Sequence, residues 1–354
     1  MIDKVTPSKV EQLALAKSGQ KLLYPPTEKV GVIVVDNFPA LGKLAGMRFI
    51  EWAQQNPGGV VSLPTGKTPE HFIKWVMRLL RHWDESGVRK ELEEAGVNVA
   101  TKPDMKSLHF VQIDEFYPIH PLQHNSFFHY VNTFYIQGFG FDPAKSLLID
   151  CSKIGLSAGM DLDEVWPEKV VDLSLRYRQG KNAQEQLQKH VIENIDQWCV
   201  EYEEKIRALG GIGFFLGGIG PDGHIGFNVR GSDFYSTTRL TATNYETQAA
   251  AATDLGGIEI SRNRLVITIG LATITANPNC TAIIIAAGEA KAQIVADAIQ
   301  QERNVRYPAT VLHVLPNARF YFTQGAAKGL IERQHEVLVK SDAVSDELLE
   351  KIVV

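Results

Sequence analysis

Cysteine is scarce in this chain: Cys151, Cys199 and Cys280 are the only three in 354 residues, widely spaced and without a CxxC pair. That excludes a disulfide-stapled scaffold, argues against a thiolate metal site and suits a reducing compartment. Long apolar runs are also missing. Nothing approaches the roughly 20 consecutive apolar residues of a membrane span, and Met1 to Val10 carries two lysines without an apolar stretch long enough for a signal peptide. The expectation is a cytoplasmic protein with no membrane partner. Charge of one sign is in short supply too, since a formal net charge of -5 argues against a surface built to bind nucleic acid. The GxxxxGK[ST] spacing of a Walker loop is absent, as are internal repeats and low-complexity tracts. With 44% hydrophobic and 22% charged residues, nothing points to disorder, and a small-molecule partner is the default.

What is present is a succession of short apolar runs rich in β-branched residues: 30–35, 60–63, 108–113, 212–216, 265–269 and 281–286, with an aromatic run at 320–322. These read as buried strands. Stretches of helical spacing separate most of them, such as Phe72, Trp75, Val76 and Leu79, or the polar run from Gln184 to Leu209. Alternating strands and helices predict an α/β fold with a mostly parallel, Rossmann-like sheet flanked by helices. No linker is evident, so residues 1–354 read as a single domain, with peripheral insertions near 76–105 and 151–182.

Ligands of such sheets collect at the carboxyl ends of strands, so the residues after each apolar run are the first candidates. After 60–63 comes Pro64-Thr65-Gly66-Lys67-Thr68-Pro69. Thr68 suits an N-cap and Pro69 a first helical position, which would aim backbone amides at an anion; Thr-Pro also starts helices that bind nothing. After 108–113 come Asp114 and Glu115, a pair that fits a partly desolvated general base, a helix cap or a salt-bridge partner. The richest segment is Gly217-Gly218-Ile219-Gly220-Pro221-Asp222-Gly223-His224, where glycines let a ligand approach the backbone and Asp222 could fix the tautomer of His224 for proton transfer. A histidine that only braces the turn is the plainer alternative. Lys291, at the opening of a helix where the macrodipole disfavours a cation, fits anion binding or an ordinary solvated face.

Taken together these residues resemble the glucosamine-6-phosphate deaminase family and its relative, 6-phosphogluconolactonase. The matching elements are Leu63-Pro64-Thr65-Gly66 with Thr68-Pro69, Asp114-Glu115, His124 to Phe134, Gly217 to Asn228, Ile267 to Thr273 and Gly288 to Lys291, in family order across roughly residues 30–325. The resemblance implies an amino-sugar-phosphate deaminase and isomerase that converts glucosamine 6-phosphate, or a related aldosamine phosphate, to a ketose phosphate plus ammonia by acid-base catalysis. In that scheme Asp114 takes the proton from C2, His224 supported by Asp222 shuttles a proton in ring opening, and Thr65, Gly66, Thr68 and Lys291 hold the phosphate, with Gly218 beside them. No metal or organic cofactor is implied, and a homo-oligomer stays open; Arg239 resembles an effector-site arginine of the hexameric members.

The chain departs from the family at two points. Val229 stands where deaminases place a glutamate after Phe-Asn, and an ungapped reading puts Thr253 where the family carries a phosphate-binding arginine. Lys67, in place of a small loop residue, is expected to supply the missing positive charge, with Arg230 a second candidate. Two alternatives remain open: a sugar-phosphate lactonase in which His224 activates water, towards which Tyr307-Pro308-Ala309 leans, and a sugar-phosphate-binding protein without turnover.

Overall fold

The computed structural model describes residues 6–333. Its centre is a parallel sheet of β1 (Gly31–Val35), β2 (Val60–Ser62), β3 (His109–Val111), β5 (Ser146–Leu147), β6 (Phe214–Gly218), β9 (Thr281–Ala286) and β10 (Arg319–Thr323), in the order β1-β10-β9-β6-β2-β3-β5. A second, antiparallel sheet of β4 (Asp114–Tyr117), β7 (Arg239–Ala242) and β8 (Leu265–Thr268) runs in the order β4-β8-β7. The expected mostly parallel α/β architecture is what forms.

The parallel strands are apolar at successive positions because both faces are covered. Ile33, Val61, Phe110, Phe214, Leu216, Ile283, Ile285 and Tyr321 face one core, shared with α1 (Lys9–Ser18), α2 (Phe38–Gln55), α3 (Glu70–Arg81) and α4 (Ser86–Glu94). Val32, Val60, Val111, Phe215, Ile284, Phe320 and Phe322 face the other. That second core takes in the small sheet together with α6 (Leu162–Val165), α7 (Ala183–Ala208), α10 (Leu271–Thr275) and α11 (Ala292–Gln300). The short α5 (Phe127–Val131) bridges them, with Val131 in the first core and Phe127 against the second. Two further helices, α8 (Tyr245–Leu255) and α9 (Ile258–Ser261), join β7 to β8.

Two readings from sequence are corrected by the sheets. Asp114 and Glu115 do not cap the strand that begins near Leu108: β3 stops at Val111 and Asp114 opens β4 in the other sheet. The bend between them is held by Gln112, whose buried side chain donates to the Asp114 carbonyl (2.9 Å) and accepts from Ile149 N (2.9 Å), supplying bonds that the interrupted ladder lacks. The run 265–269 likewise enters the antiparallel sheet, as β8.

Two further features recur below. The outer edge of β1 is covered by residues 20–22 and Arg333: Val32 N donates to Leu22 O (2.8 Å), the Gln20 amide both accepts from Val34 N and donates to Val34 O (3.1 Å each), and Arg333 donates to Val32 O (3.0 Å). At the amino-terminal end of β10, Glu11 of α1 is buried and receives Tyr321 (2.6 Å), Arg319 (3.1 Å) and Thr6, with Arg48 at 3.8 Å.

Candidate active site

The position of β2 beside β6, with Ser62 opposite Phe215, brings the loops after both strands to one place at their carboxyl ends. The loop after β6 is the glycine turn. Gly220 has to be glycine, because a Cβ there would lie 2.0 Å from Cε1 of the His224 ring. The main chain closes on itself through Gly220 N to His224 O (2.9 Å) and Gly223 N to Gly220 O (3.1 Å). Within this frame His224 Nδ1 lies 2.5 Å from Asp222 Oδ1. Asp222 Oδ2 accepts from Arg230 N (2.8 Å) and Asn244 Nδ2 (2.6 Å). Burial alone would raise the Asp222 pKa, but the bond from His224 and these two donors hold it well below the usual carboxylate range. With Nδ1 engaged by an acceptor, Nε2 is the nitrogen left for proton transfer.

The turn lies on the small sheet. Asp114, Thr268 and Arg239 stand in register across β4, β8 and β7, so their side chains share one face. Thr268 Oγ1 accepts from Phe227 N (3.1 Å), and Arg239 donates to Asn228 Oδ1 (2.9 Å). Asn228 in turn ties the turn to Ile269 O (2.9 Å). Asp114 is therefore the third member of the row that carries the end of the histidine turn. Phe116, Phe127 and Phe227 form an aromatic wall next to it, with ring centroids 5.0–6.2 Å apart.

The two adjacent carboxylates are differently employed. Glu115 is fully buried and accepts from the backbone N–H of Phe116 (2.9 Å), Phe127 (3.0 Å) and Phe128 (2.7 Å) and from Ser126 Oγ (2.7 Å). It closes the start of α5, and burial raises its pKa to about 7 against the pull of those donors. Asp114 is 7% exposed, and no hydrogen-bond donor among the described residues reaches its carboxylate. Burial first, and the neighbouring Glu115 second, push its pKa well up.

In the loop after β2, Thr65, Gly66 and Thr68 are half-buried and Lys67 is exposed. Tyr135 OH and Tyr130 OH donate to the carbonyls of Pro64 (2.5 Å) and Gly66 (2.9 Å), fixing the loop from behind. Thr68 does not cap the following helix. The N-cap is Pro69, without a side-chain bond, and Thr68 turns instead towards Gly218, whose Cβ position would lie 3.5 Å from Thr68 Oγ1. Lys291 ends a 3-10 turn before α11, and its Nζ donates to Ile219 O (2.9 Å). Burial lowers its pKa, with Asp222 opposing. Thr68, Gly218, Ile219 and Lys291 thus meet, and the Asp222–His224 pair lies on the same turn. Among the described residues no group of three His, Cys, Asp or Glu side chains is placed to hold a metal ion.

Three contributors escaped the sequence reading. Asn244 clamps Asp222, Thr247 Oγ1 lies 3.3 Å from His224 Nδ1, and Gln112 sets the bend before Asp114. Asn244 followed by Thr247 is legible as a helix start, and Thr247 N does donate to Asn244 Oδ1 (3.1 Å). Its bond across 22 residues to Asp222 has no local signature.

No protein-family model matches the chain. The chain is 26% identical over 300 residues, 85% of its length and 100% of the relative's, to a glucosamine-6-phosphate deaminase of Bacillus velezensis. The chain is similar to glucosamine-6-phosphate deaminases. Deaminases of Borreliella afzelii and of a Geobacillus species match at 36% over 125 residues and 33% over 148 residues. Those two alignments span 35% and 42% of this chain and about half the length of the relatives, 46% and 58%. Among solved structures, a monomeric glucosamine-6-phosphate deaminase of the NagB superfamily shares the fold, with a TM-score of 0.63 at 21% identity over 84% of this chain and 99% of its own. The 6-phosphogluconolactonase of Trypanosoma cruzi shares it at a TM-score of 0.54 and 15% identity, over 84% of this chain and 96% of its own. Set beside the deaminases, the two departures occupy different environments: Val229 is half-buried immediately before Arg230, and Thr253 is exposed on α8.

Proposed function

We propose that this chain is an amino-sugar-phosphate deaminase and isomerase acting on glucosamine 6-phosphate or a related aldosamine phosphate. The observation that carries the reading is Asp114, a buried carboxylate with no donor on it among the described residues, held in one sheet row with the turn that bears an aspartate-braced histidine. A desolvated carboxylate is a strong base, and abstraction of a proton next to a carbonyl needs one. His224, with Nε2 bare, takes the proton of the C1 hydroxyl and delivers it to the ring oxygen as the bond from C1 to that oxygen breaks and the C1 carbonyl forms. Asp114 then removes the C2 proton of the open aldose, which the C1 carbonyl has made acidic, and returns a proton to C1, while O1 gains a proton and the amino group loses one as the C2–nitrogen double bond forms. The C2 imine so formed takes up water and releases ammonia, leaving the ketose phosphate.

Thr65, Gly66, Lys67, Thr68, Gly218 and Lys291 anchor the phosphate, whose binding energy orients the reacting carbons. Val229 favours one second reading. Without an acid beside the histidine, His224 can activate water for a sugar-phosphate lactone. The fold supports a soluble metabolic enzyme, and among the described residues no helix is long and apolar enough to cross a membrane.

The test is an NMR time course with glucosamine 6-phosphate in deuterated buffer. Deuterium entering the sugar carbons, with fructose 6-phosphate and ammonium appearing, is the expected result. Absence of both exchange and product with folded protein would reject it, and hydrolysis of 6-phosphogluconolactone by the same sample would install the second reading.

A further inference from the structure

Helix α8 is attached to the Asp222–His224 pair at its first turn. Asn244 is its N-cap and uses both ends of its amide: Oδ1 accepts from Thr247 N (3.1 Å), and Nδ2 donates to Asp222 Oδ2 (2.6 Å). The next contact is Thr247 Oγ1, 3.3 Å from His224 Nδ1. Arg230 N supplies the second donor to Asp222 Oδ2 (2.8 Å), so that oxygen is committed and Oδ1 is the one left to face the imidazole at 2.5 Å.

The amide matters because Asp222 is itself buried and cannot turn to water for a replacement donor. An Asp carboxylate held by main chain alone could rock about its Cβ–Cγ bond. One held at Oδ2 by two donors from different segments cannot do so without breaking a bond.

We infer that Asn244 is a positioning residue for His224, locking Asp222 so that the imidazole keeps its proton on Nδ1 and presents Nε2 to the sugar. The inference rests on the deaminase reading for what the histidine then does, but the lock itself is a property of the protein alone. It assigns the start of α8 a part in catalysis: the residue that begins the helix also sets the tautomer of the proton carrier.

The test separates the two jobs of Asn244. Asn244→Ser keeps a good N-cap but has no amide to reach Asp222, so the fold is retained while the clamp is lost. Asn244→Asp keeps the size and the cap but sets a carboxylate against Asp222. In protein labelled with 15N-histidine, His224 being assigned by comparison with His224→Gln, the wild type is expected to show Nδ1 protonated and Nε2 bare. In Asn244→Ser the two tautomers should become mixed, and in Asn244→Asp, where a second carboxylate faces the pair, the signals should move towards the doubly protonated ring. Turnover of glucosamine 6-phosphate should fall tenfold or more in kcat, with KM within about twofold of wild type, because the sugar contacts are untouched.

Unchanged tautomer signals in both variants overturn the inference, whether kcat is unchanged or falls, since Asn244 would then not act through His224. If the wild-type protein proves to lack deaminase activity, the tautomer signals decide alone. Nδ1 protonation in the wild type together with altered signals in the variants would uphold the lock while the deaminase reading fails.

Discussion

Asp114 and Glu115 are neighbours on one buried strand, yet hydrogen bonding separates their roles. Glu115 is saturated by the start of α5, and no donor among the described residues reaches Asp114. A pair of acids after an apolar run announces itself in the sequence, but which of the two is spent on structure depends on where residues 126–128 fold back, and that is not local information. Asp222-Gly223-His224 was legible because its geometry is set within a few residues, whereas Asn244 was not. At the loop proposed to hold the phosphate, Lys67 is exposed beside half-buried Thr65, Gly66 and Thr68. Replacing it with alanine is expected to weaken binding of glucosamine 6-phosphate on the order of tenfold, and of unphosphorylated glucosamine hardly at all, as isothermal titration would measure. Equal loss for both sugars would remove Lys67 from the phosphate site.

At the scale of elements, Glu115 joins β4 to α5, and the consequence is a dependence of stability on pH. Its folded pKa of about 7 lies above the ordinary glutamate value of 4.5. Between those values the folded protein holds a proton that the unfolded chain has released. Stability from this group is full below pH 4.5 and declines as pH rises towards 7. The largest loss is about 3 kcal/mol at about 1.4 kcal/mol per unit, and Asp114 acts in the same direction. Urea midpoints should therefore fall from pH 5 to pH 8, and Glu115→Gln, which cannot titrate, should flatten that fall; an equally steep fall in the variant would assign it to other groups. Seven of the strands follow apolar runs that the sequence displays, because a strand buried on both faces must be apolar throughout. The antiparallel sheet was misjudged for the same reason: β8 is as apolar as its parallel neighbours, β4 is hidden in a polar-looking Asp-Glu-Phe-Tyr, and only pairing partners distinguish them.

For the whole molecule, the network on Glu11 connects the first helix to the last strand, across 308 and 310 residues to Arg319 and Tyr321. Arg48 sits within it, and among the described residues its Nε and one terminal nitrogen have no hydrogen-bond partner, so Glu11 and Glu51 are what balance two buried guanidinium groups. Glu11→Ala should cost about 3–5 kcal/mol in chemical denaturation, the usual penalty for stranding a buried charge. KM should be unaffected, because the network is at the opposite end of the strands from the glycine turn. A cost below about 1 kcal/mol would show that the charges are solvated. The sequence offered no sign of this network, since its members are scattered and each looks like an ordinary surface charge.

The covering of β1 has a consequence for how these molecules behave in a crowd. A parallel sheet ends in a row of N–H and C=O groups that would accept a strand from any neighbouring chain. Here the Gln20 amide occupies both positions at Val34, the Leu22 carbonyl takes Val32 N, and the Arg333 guanidinium takes the Val32 carbonyl. This flank is thereby blunted by two side chains and one main-chain carbonyl that do not continue a ladder, and the β1 edge is guarded against edge-to-edge pairing when the protein is concentrated.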